Sequence, residues 1–131
     1  MSLSVVLAED DPDIQLVARL ALNRVGFTVR VFGNGTDALE AIRAHAPDVV
    51  LLDWMMPELD GPETCRQLKA DPATADIPVI FLTAKSQLSE IQRGLSLGAI
   101  GYVTKPFDAL TLGSQVKRLV LGQDASPTAT D

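Results

Sequence analysis

The sequence predicts an α/β fold: a single doubly wound (βα)5 domain, with a five-stranded parallel sheet covered by helices on both faces. Three observations predict it. Short apolar runs alternate with stretches of helical periodicity five times along the chain. The central run, Val49-Val50-Leu51-Leu52, is apolar without alternation, which suits a strand buried on both faces. The 131 residues, 47% hydrophobic and 21% charged, suffice for one domain with a proper core and not for two. Strand-helix-strand units at this spacing cross over right-handed and give parallel neighbours.

Each element has its own warrant. Ser4 to Ala8 is a short apolar strand. Asp11 can cap the helix that follows, and Pro12 fits its first position. Ile14, Val17, Ala18, Ala21 and Val25 recur at helical spacing, and Gly26 stops that helix. Phe27 to Phe32 is the second strand, rich in β-branched residues. Asn34-Gly35 turns into a second helix marked by Ala38, Leu39, Ile42 and Ala46, ended by Pro47. The third strand runs from Asp48 to Asp53. Pro62-Glu63 opens a third helix with Cys65 and Leu68 inward, broken at Asp71-Pro72. Ile77 to Leu82 is the fourth strand. Leu88, Ile91 and Leu95 mark a fourth helix, closed by Gly98. Ala99 to Thr104 is the fifth strand. Asp108 can cap the last helix, whose stripe is Leu112, Val116, Leu119 and Val120 and whose end is Gly122. Gly113 inside it costs about 1 kcal/mol against Ala with no reason visible in the sequence. Gln123 to Asp131 is small and polar, a frayed tail or the start of a linker.

Composition narrows the function. A net charge of −6 and a pI near 4.6 argue against direct nucleic-acid binding by this domain, which would need a basic face. They suit a basic partner or a bound cation. No apolar run reaches the length of a membrane span, and the N-terminus lacks a signal-peptide layout. The single Cys65 excludes an internal disulfide and a multi-cysteine metal site. Asn34-Gly35-Thr36 matches a glycosylation sequon but reads better as a helix start. The expected compartment is the cytoplasm. His45, the only histidine, precedes Pro47 and reads as a surface residue.

The chemistry gathers at the strand ends. Ligands of open α/β sheets bind at the carboxyl ends of the strands. There the sequence places Glu9 and Asp10 after the first strand, Asp53 after the third, Thr83 after the fourth and Lys105 after the fifth. Three clustered acids are costly without a cation. Mg²⁺ fits best, because it takes oxygen ligands and leaves positions for water and phosphate. Nothing in the chain offers a thiolate or histidine cluster for zinc. One Asp can then attack phosphorus, with Lys105 and the Thr83 hydroxyl neutralising and orienting the group. Asp11 is a helix-start acid instead. Met55 and Met56 read as loop and packing residues.

Glu9-Asp10, the stretch Leu52-Asp53-Trp54-Met55-Met56-Pro57 with Asp60-Gly61, Thr83-Ala84, and Tyr102-Val103-Thr104-Lys105-Pro106-Phe107 together resemble the receiver domain of bacterial two-component response regulators. The resemblance runs from about Leu3 to about Leu121, so the domain is expected at 1–122 with the tail at 123–131. It implies a flavodoxin-like sheet of order 2-1-3-4-5. It implies that Asp53 is the phosphoacceptor for a sensor histidine kinase or phosphotransfer protein. Asp10, Asp53 and the Met55 carbonyl would bind Mg²⁺ (or Mn²⁺), and Glu9 would act mainly through water. Lys105 would pair with the phosphoryl group, Thr83 would hydrogen-bond it, and Tyr102 would turn inward as Thr83 moves. Lys105-Pro106 would be cis. The readout face would be helix four, strand five and helix five, roughly Gln87 to Gly122, controlling a partner or output domain or forming a homodimer. Such a domain is not an enzyme in its own right and catalyses only its own phosphorylation and dephosphorylation. The residues two after the acceptor and two after the Thr, Met55 and Lys85, would hinder attacking water and give a phosphorylated state lasting minutes or longer.

Three other functions fit less well. A hydrolase working through an aspartyl-phosphate would want a second acid at Met55. A flavin-binding module would want a phosphate-cradling loop where Glu9-Asp10-Asp11 stands. A receiver-like domain that is never phosphorylated would not need the complete acceptor set.

Overall fold

The computed structural model describes residues 3–84 and 88–121. Lys85, Gln87, Gly122 and the stretch Gln123 to Asp131, named above, lie outside the described residues. The order of elements is β1 (Ser4–Ala8), α1 (Pro12–Arg24), β2 (Thr28–Phe32), α2 (Gly35–Ala44), β3 (Val49–Asp53), α3 (Gly61–Ala70), β4 (Val79–Ala84), α4 (Leu88–Ser96), β5 (Gly101–Lys105) and α5 (Leu112–Leu121). The five strands form one sheet of order β2-β1-β3-β4-β5, every pairing parallel. The fold is the flavodoxin-like one expected.

Alternation along the central strands divides the core in two. Val5, Leu7, Val49, Leu51, Ile80, Leu82 and Val103 point to α1 and α5, meeting Ala18, Ala21, Leu22, Leu112 and Val116. Val6, Ala8, Val50, Leu52, Val79 and Phe81 point to the other face and meet Ala38, Leu39, Ile42, Cys65 and Leu68. β3 is buried at all five positions, so both faces of this strand drive folding. Truncating one such Leu costs about 2–5 kcal/mol.

Helix starts follow the capping chemistry. Asp11 accepts from the N–H groups of Asp13 and Ile14, Asn34 from Asp37, and Asp60 from Glu63. Each side chain takes up an N–H that the first turn leaves without a partner. The helix ends use other devices. Gly26 sits at φ +98, a conformation glycine adopts cheaply.

Several boundaries differ from expectation. β4 starts at Val79, not Ile77, because the Ile77 N–H bonds Thr74 O and its carbonyl accepts from Lys69 Nζ at 2.9 Å. Its backbone belongs to the preceding turn. β5 starts at Gly101, not Ala99, whose N–H closes the end of α4 on Gly94 O. Ala46 lies beyond α2 and is exposed. In α1 the buried residues are Ala18, Ala21 and Leu22, while Val17 is exposed. The α4 stripe is the largest departure. Leu88 is 64% exposed and Leu95 46%, and the buried residue of α4 is Gly94. A Cβ there would stand 2.8 Å from the Phe81 ring, so the helix approaches the sheet through its glycine, and the leucines flank the contact.

Gly113 has the same explanation. A Cβ on it would fall 2.5 Å from Val25 Cγ2 and 3.0 Å from Ala21 O. α1 and α5 touch there, and only glycine leaves room.

Candidate functional site

The parallel register brings the strand ends together. Ala8 pairs with Leu52, so Glu9 and Asp10 leave β1 beside Asp53, the last residue of β3. Asp53 pairs with Leu82 and Ala84 with Lys105, which sets Thr83 and Lys105 at the same edge. Glu9, Asp10 and Asp53 each offer a carboxylate oxygen within 4.8 Å of the others. Asp53 is 6% exposed and Glu9 1%, while Asp10 is at the surface. Asp11, next in sequence, turns away to cap α1.

Lys105 spans the two buried acids. Its Nζ lies 2.8 Å from Asp53 Oδ1 and 2.9 Å from Glu9 Oε1. The ammonium is directed at Asp53 as a hydrogen bond. Its approach to Glu9 is an ion pair by distance only, and among the described residues Glu9 Oε1 is the one buried side-chain oxygen or nitrogen with no hydrogen bond. The other carboxylate oxygen, Oε2, accepts from Asp11 N–H at 3.0 Å.

The electrostatics follow from burial. Desolvation pushes the Glu9 carboxyl up, and Lys105 and the Asp11 N–H pull part of the way back. Desolvation likewise raises Asp53, with Lys105 opposing it and Asp10 adding to it. Burial works against the Lys105 charge, but the hydrogen bond to Asp53 and the attraction of Asp53 and Glu9 outweigh it and hold the ammonium above its ordinary range. A buried acid pair held by one cation, with the carboxylate of Asp10 beside it, is short of positive charge.

The donor set fits a hard divalent cation. It consists of carboxylate oxygens, with the exposed Asp10 at its open side, and the cluster contains no sulfur or imidazole. The loop that follows Asp53 is firmly placed. Gly61 N–H donates to Trp54 O and Gly35 N–H to Leu59 O, and Thr64 Oγ1 donates to Asp60 O at 2.7 Å. Gly61 is needed here: a Cβ would sit 2.3 Å from Asp53 O. Within the loop Met55 is 74% exposed, Met56 packs against the core, and Glu58 sits at φ +66.

The remaining expected residues are also placed. Thr83 is buried and its hydroxyl donates to Glu90 Oε1 at 2.7 Å. Tyr102 is 43% exposed, its ring on the outer side of β5. The Lys105-Pro106 peptide is cis. His45 is exposed. Glu90 had no role in the sequence reading. Its only signal was its position seven residues after Thr83, in the first turn of α4.

The chain matches the family model described as the response regulator receiver domain over residues 5–117. It is 42% identical over 116 residues to the transcriptional regulatory protein CseB of Streptomyces avermitilis, covering 88% of this chain and 48% of that protein. It is 36% identical over 123 residues to the DNA-binding response regulator MtrA of Mycobacterium tuberculosis, covering 94% of this chain and 53% of that one. The chain thus spans about half the length of these relatives. In structure it superposes on the signal receiver domain of a signal transduction histidine kinase from Syntrophus aciditrophicus with a TM-score of 0.82, at 33% identity, covering 98% of each chain. No helix among the described residues is long and apolar enough to cross a membrane. With the acidic cluster at the strand ends and the parallel sheet that builds it, these matches identify the chain as a member of the response regulator receiver domain family.

Proposed function

We propose that the domain, residues 1–122, is a switch phosphorylated on Asp53 with the help of a divalent cation. The observation that carries this reading is the arrangement of Glu9, Asp10, Asp53 and Lys105. Asp53 accepts the hydrogen bond of the ammonium and lies next to the other two acids. Asp10, Asp53 and the Met55 carbonyl would hold Mg²⁺ (or Mn²⁺), with Glu9 acting mainly through water. Bound there, the cation would supply charge neutralisation for the acids and for phosphate oxygens.

A carboxylate oxygen of Asp53 attacks phosphorus of a phosphohistidine on a sensor kinase or phosphotransfer protein. A P–O bond forms, the P–N bond breaks, and the leaving imidazole nitrogen keeps the electron pair. Lys105 moves its contact from the free carboxylate to the new phosphoryl oxygens. The Thr83 hydroxyl donates to the same group, and Tyr102, now outside, turns into the space Thr83 leaves. The domain is not an enzyme acting on separate substrates.

The readout is the surface of α4, β5 and α5. The exposed Leu88, Leu95 and Tyr102 lie there, and a phosphoryl group that favours one of two conformations typically shifts such an equilibrium by about 1–3 kcal/mol. The relatives named above are transcriptional and DNA-binding regulators about twice this length. An output domain beyond this one is therefore the expected target, with a homodimer through the same surface as one way of reaching it.

The test is phosphorylation with acetyl phosphate and Mg²⁺, read by intact mass. A single phosphoryl adduct in the wild type, absent in Asp53→Asn and without Mg²⁺, is expected. No adduct on the folded, Mg²⁺-loaded protein, from acetyl phosphate or from a panel of phosphorylated histidine kinases, would overturn the reading.

A further inference from the structure

We infer that Glu90 is the positioning residue for Thr83, holding its hydroxyl in the unphosphorylated state and releasing it to the phosphoryl group. The inference rests on the function proposed above. A threonine hydroxyl has one proton to donate. In this structure that proton goes to Glu90 Oε1, at 2.7 Å, from a Thr83 that is 2% exposed. The hydroxyl therefore cannot donate to a group on Asp53 until it lets Glu90 go. A hydrogen bond to an ionised acceptor is stronger than one between neutral groups, so the contact holds Thr83 in this orientation.

The same contact ties α4 to the sheet. Glu90 is in the first turn of α4, and one turn later Gly94 rests against Phe81, close to Trp54. The helix is thus tied at its start by the Thr83–Glu90 bond and, one turn on, rests on the sheet through Gly94. An anionic phosphoryl group arriving at Thr83 competes for the proton and repels the Glu90 carboxylate, both of which loosen the start of α4. Glu90 acts on the switch through Thr83 and does not touch the reacting atoms.

The experiment uses the full chain and has two arms. In the first, amide hydrogen exchange of α4 is measured without phosphodonor. Glu90→Ala and Thr83→Ala should each speed exchange at the amides of Gln92 to Gly94, which bond the first-turn carbonyls, about three- to thirty-fold, and the double variant should be no faster than either. Glu90→Gln keeps an acceptor oxygen and should retain most of the protection. Ser89→Glu with Glu90→Ala restores an acid to the first turn, at an exposed position, but not at position 90 where Thr83 is bonded, and should stay fast. Unchanged exchange in Thr83→Ala, or multiplied effects in the double variant, overturns the contact. In the second arm, Mg²⁺ and beryllofluoride are titrated while Trp54 fluorescence is followed. Glu90→Ala should half-saturate at about three- to thirty-fold lower beryllofluoride. A wild-type response with an unchanged midpoint in Glu90→Ala overturns the release of Thr83. Absence of any wild-type response counts against the aspartyl-phosphate reading, and the exchange arm still decides Glu90.

Discussion

Trp54 and Phe81 meet edge to face, with ring centroids 4.9 Å apart and planes inclined by 62°. Trp54 directly follows Asp53, and Phe81 is the ring against which Gly94 brings α4. One indole therefore reports on both the acidic cluster and the helix behind it. Its fluorescence should change saturably with Mg²⁺ and change again with acetyl phosphate, the second change being lost in Asp53→Asn. Calorimetry checks the first step if the indole is silent. No heat and no fluorescence change with Mg²⁺ would remove the metal from the proposed function.

The acidic cluster, proposed above to hold a cation, puts like charges together at a cost to the metal-free fold. Asp10 is exposed yet raises the Asp53 carboxyl through space, so it adds like charge next to a buried acid. Asp10→Asn should stabilise the metal-free domain at neutral pH by about 0.5–1 kcal/mol, a modest amount because water screens the exposed partner. The same substitution should abolish most of the rise in melting temperature that Mg²⁺ gives the wild type. Thermal melts of both proteins with EDTA and with Mg²⁺ check both statements. A destabilised metal-free Asp10→Asn would contradict the charge argument.

Gly113 marks where two helices touch. In an open helix Gly→Ala gains about 1 kcal/mol. Here the new Cβ would lie 2.5 Å from Val25 Cγ2 and 3.0 Å from the carbonyl of Ala21. Gly113→Ala should therefore destabilise the domain by about 1–3 kcal/mol. Adding Val25→Ala, which removes the nearest methyl, should recover part of that loss. Urea melts of the single and double variants decide it, and a stabilised Gly113→Ala would show that the α1–α5 approach is looser than described.

Cys65 is fully buried on the inner side of α3, and burial pushes its thiol up to about 11. The thiolate is the reactive form. Since its pKa is raised, the ionised fraction at pH 8 falls below that of a free cysteine and grows only as pH rises towards 11. Alkylation by iodoacetamide at pH 8 should therefore be slow in the native protein and become rapid in urea. Rapid labelling of the folded protein at pH 8 would mean that α3 opens locally.

Which features were legible in the sequence follows from how local their causes are. β3 was legible because four apolar residues followed by Asp53 need no partner to be recognised. The cap at Asp11, the turn at Asn34-Gly35 into α2 and the stop at Gly26 were legible because turns and caps are chemistry within three residues. Glu9, Asp10, Asp53 and Lys105 were legible as a group once each was placed at a strand end, since the parallel register does the rest. The α4 face was not. Its leucines have the right spacing, but the closest approach to the sheet is made by Gly94, a residue that periodicity counts as neutral. Gly113 and Glu90 were hidden for the same reason. Their roles depend on residues packed against them from α1 and from the end of β4, and no local pattern announces such a contact.

Met55 lies two residues after Asp53 and is 74% exposed, so its side chain is free to cover the approach to Asp53, the proposed acceptor. Water must reach phosphorus in line with the bond to Asp53 for the phosphoryl group to be lost. An apolar side chain on that approach offers such a water no hydrogen-bond partner, and the phosphorylated state should therefore last minutes or longer. Met55→Asn replaces the thioether with a group that can hold a water, and should shorten the half-life about three- to tenfold, about 0.6–1.4 kcal/mol in the barrier. Met55→Leu keeps the side chain apolar and should leave the half-life nearly unchanged. Loss of the phosphoryl adduct is followed by intact mass after the phosphodonor is removed with Mg²⁺ retained. A wild-type half-life of seconds, or equal lifetimes in Met55→Asn and Met55→Leu, would show that another part of the site controls the water.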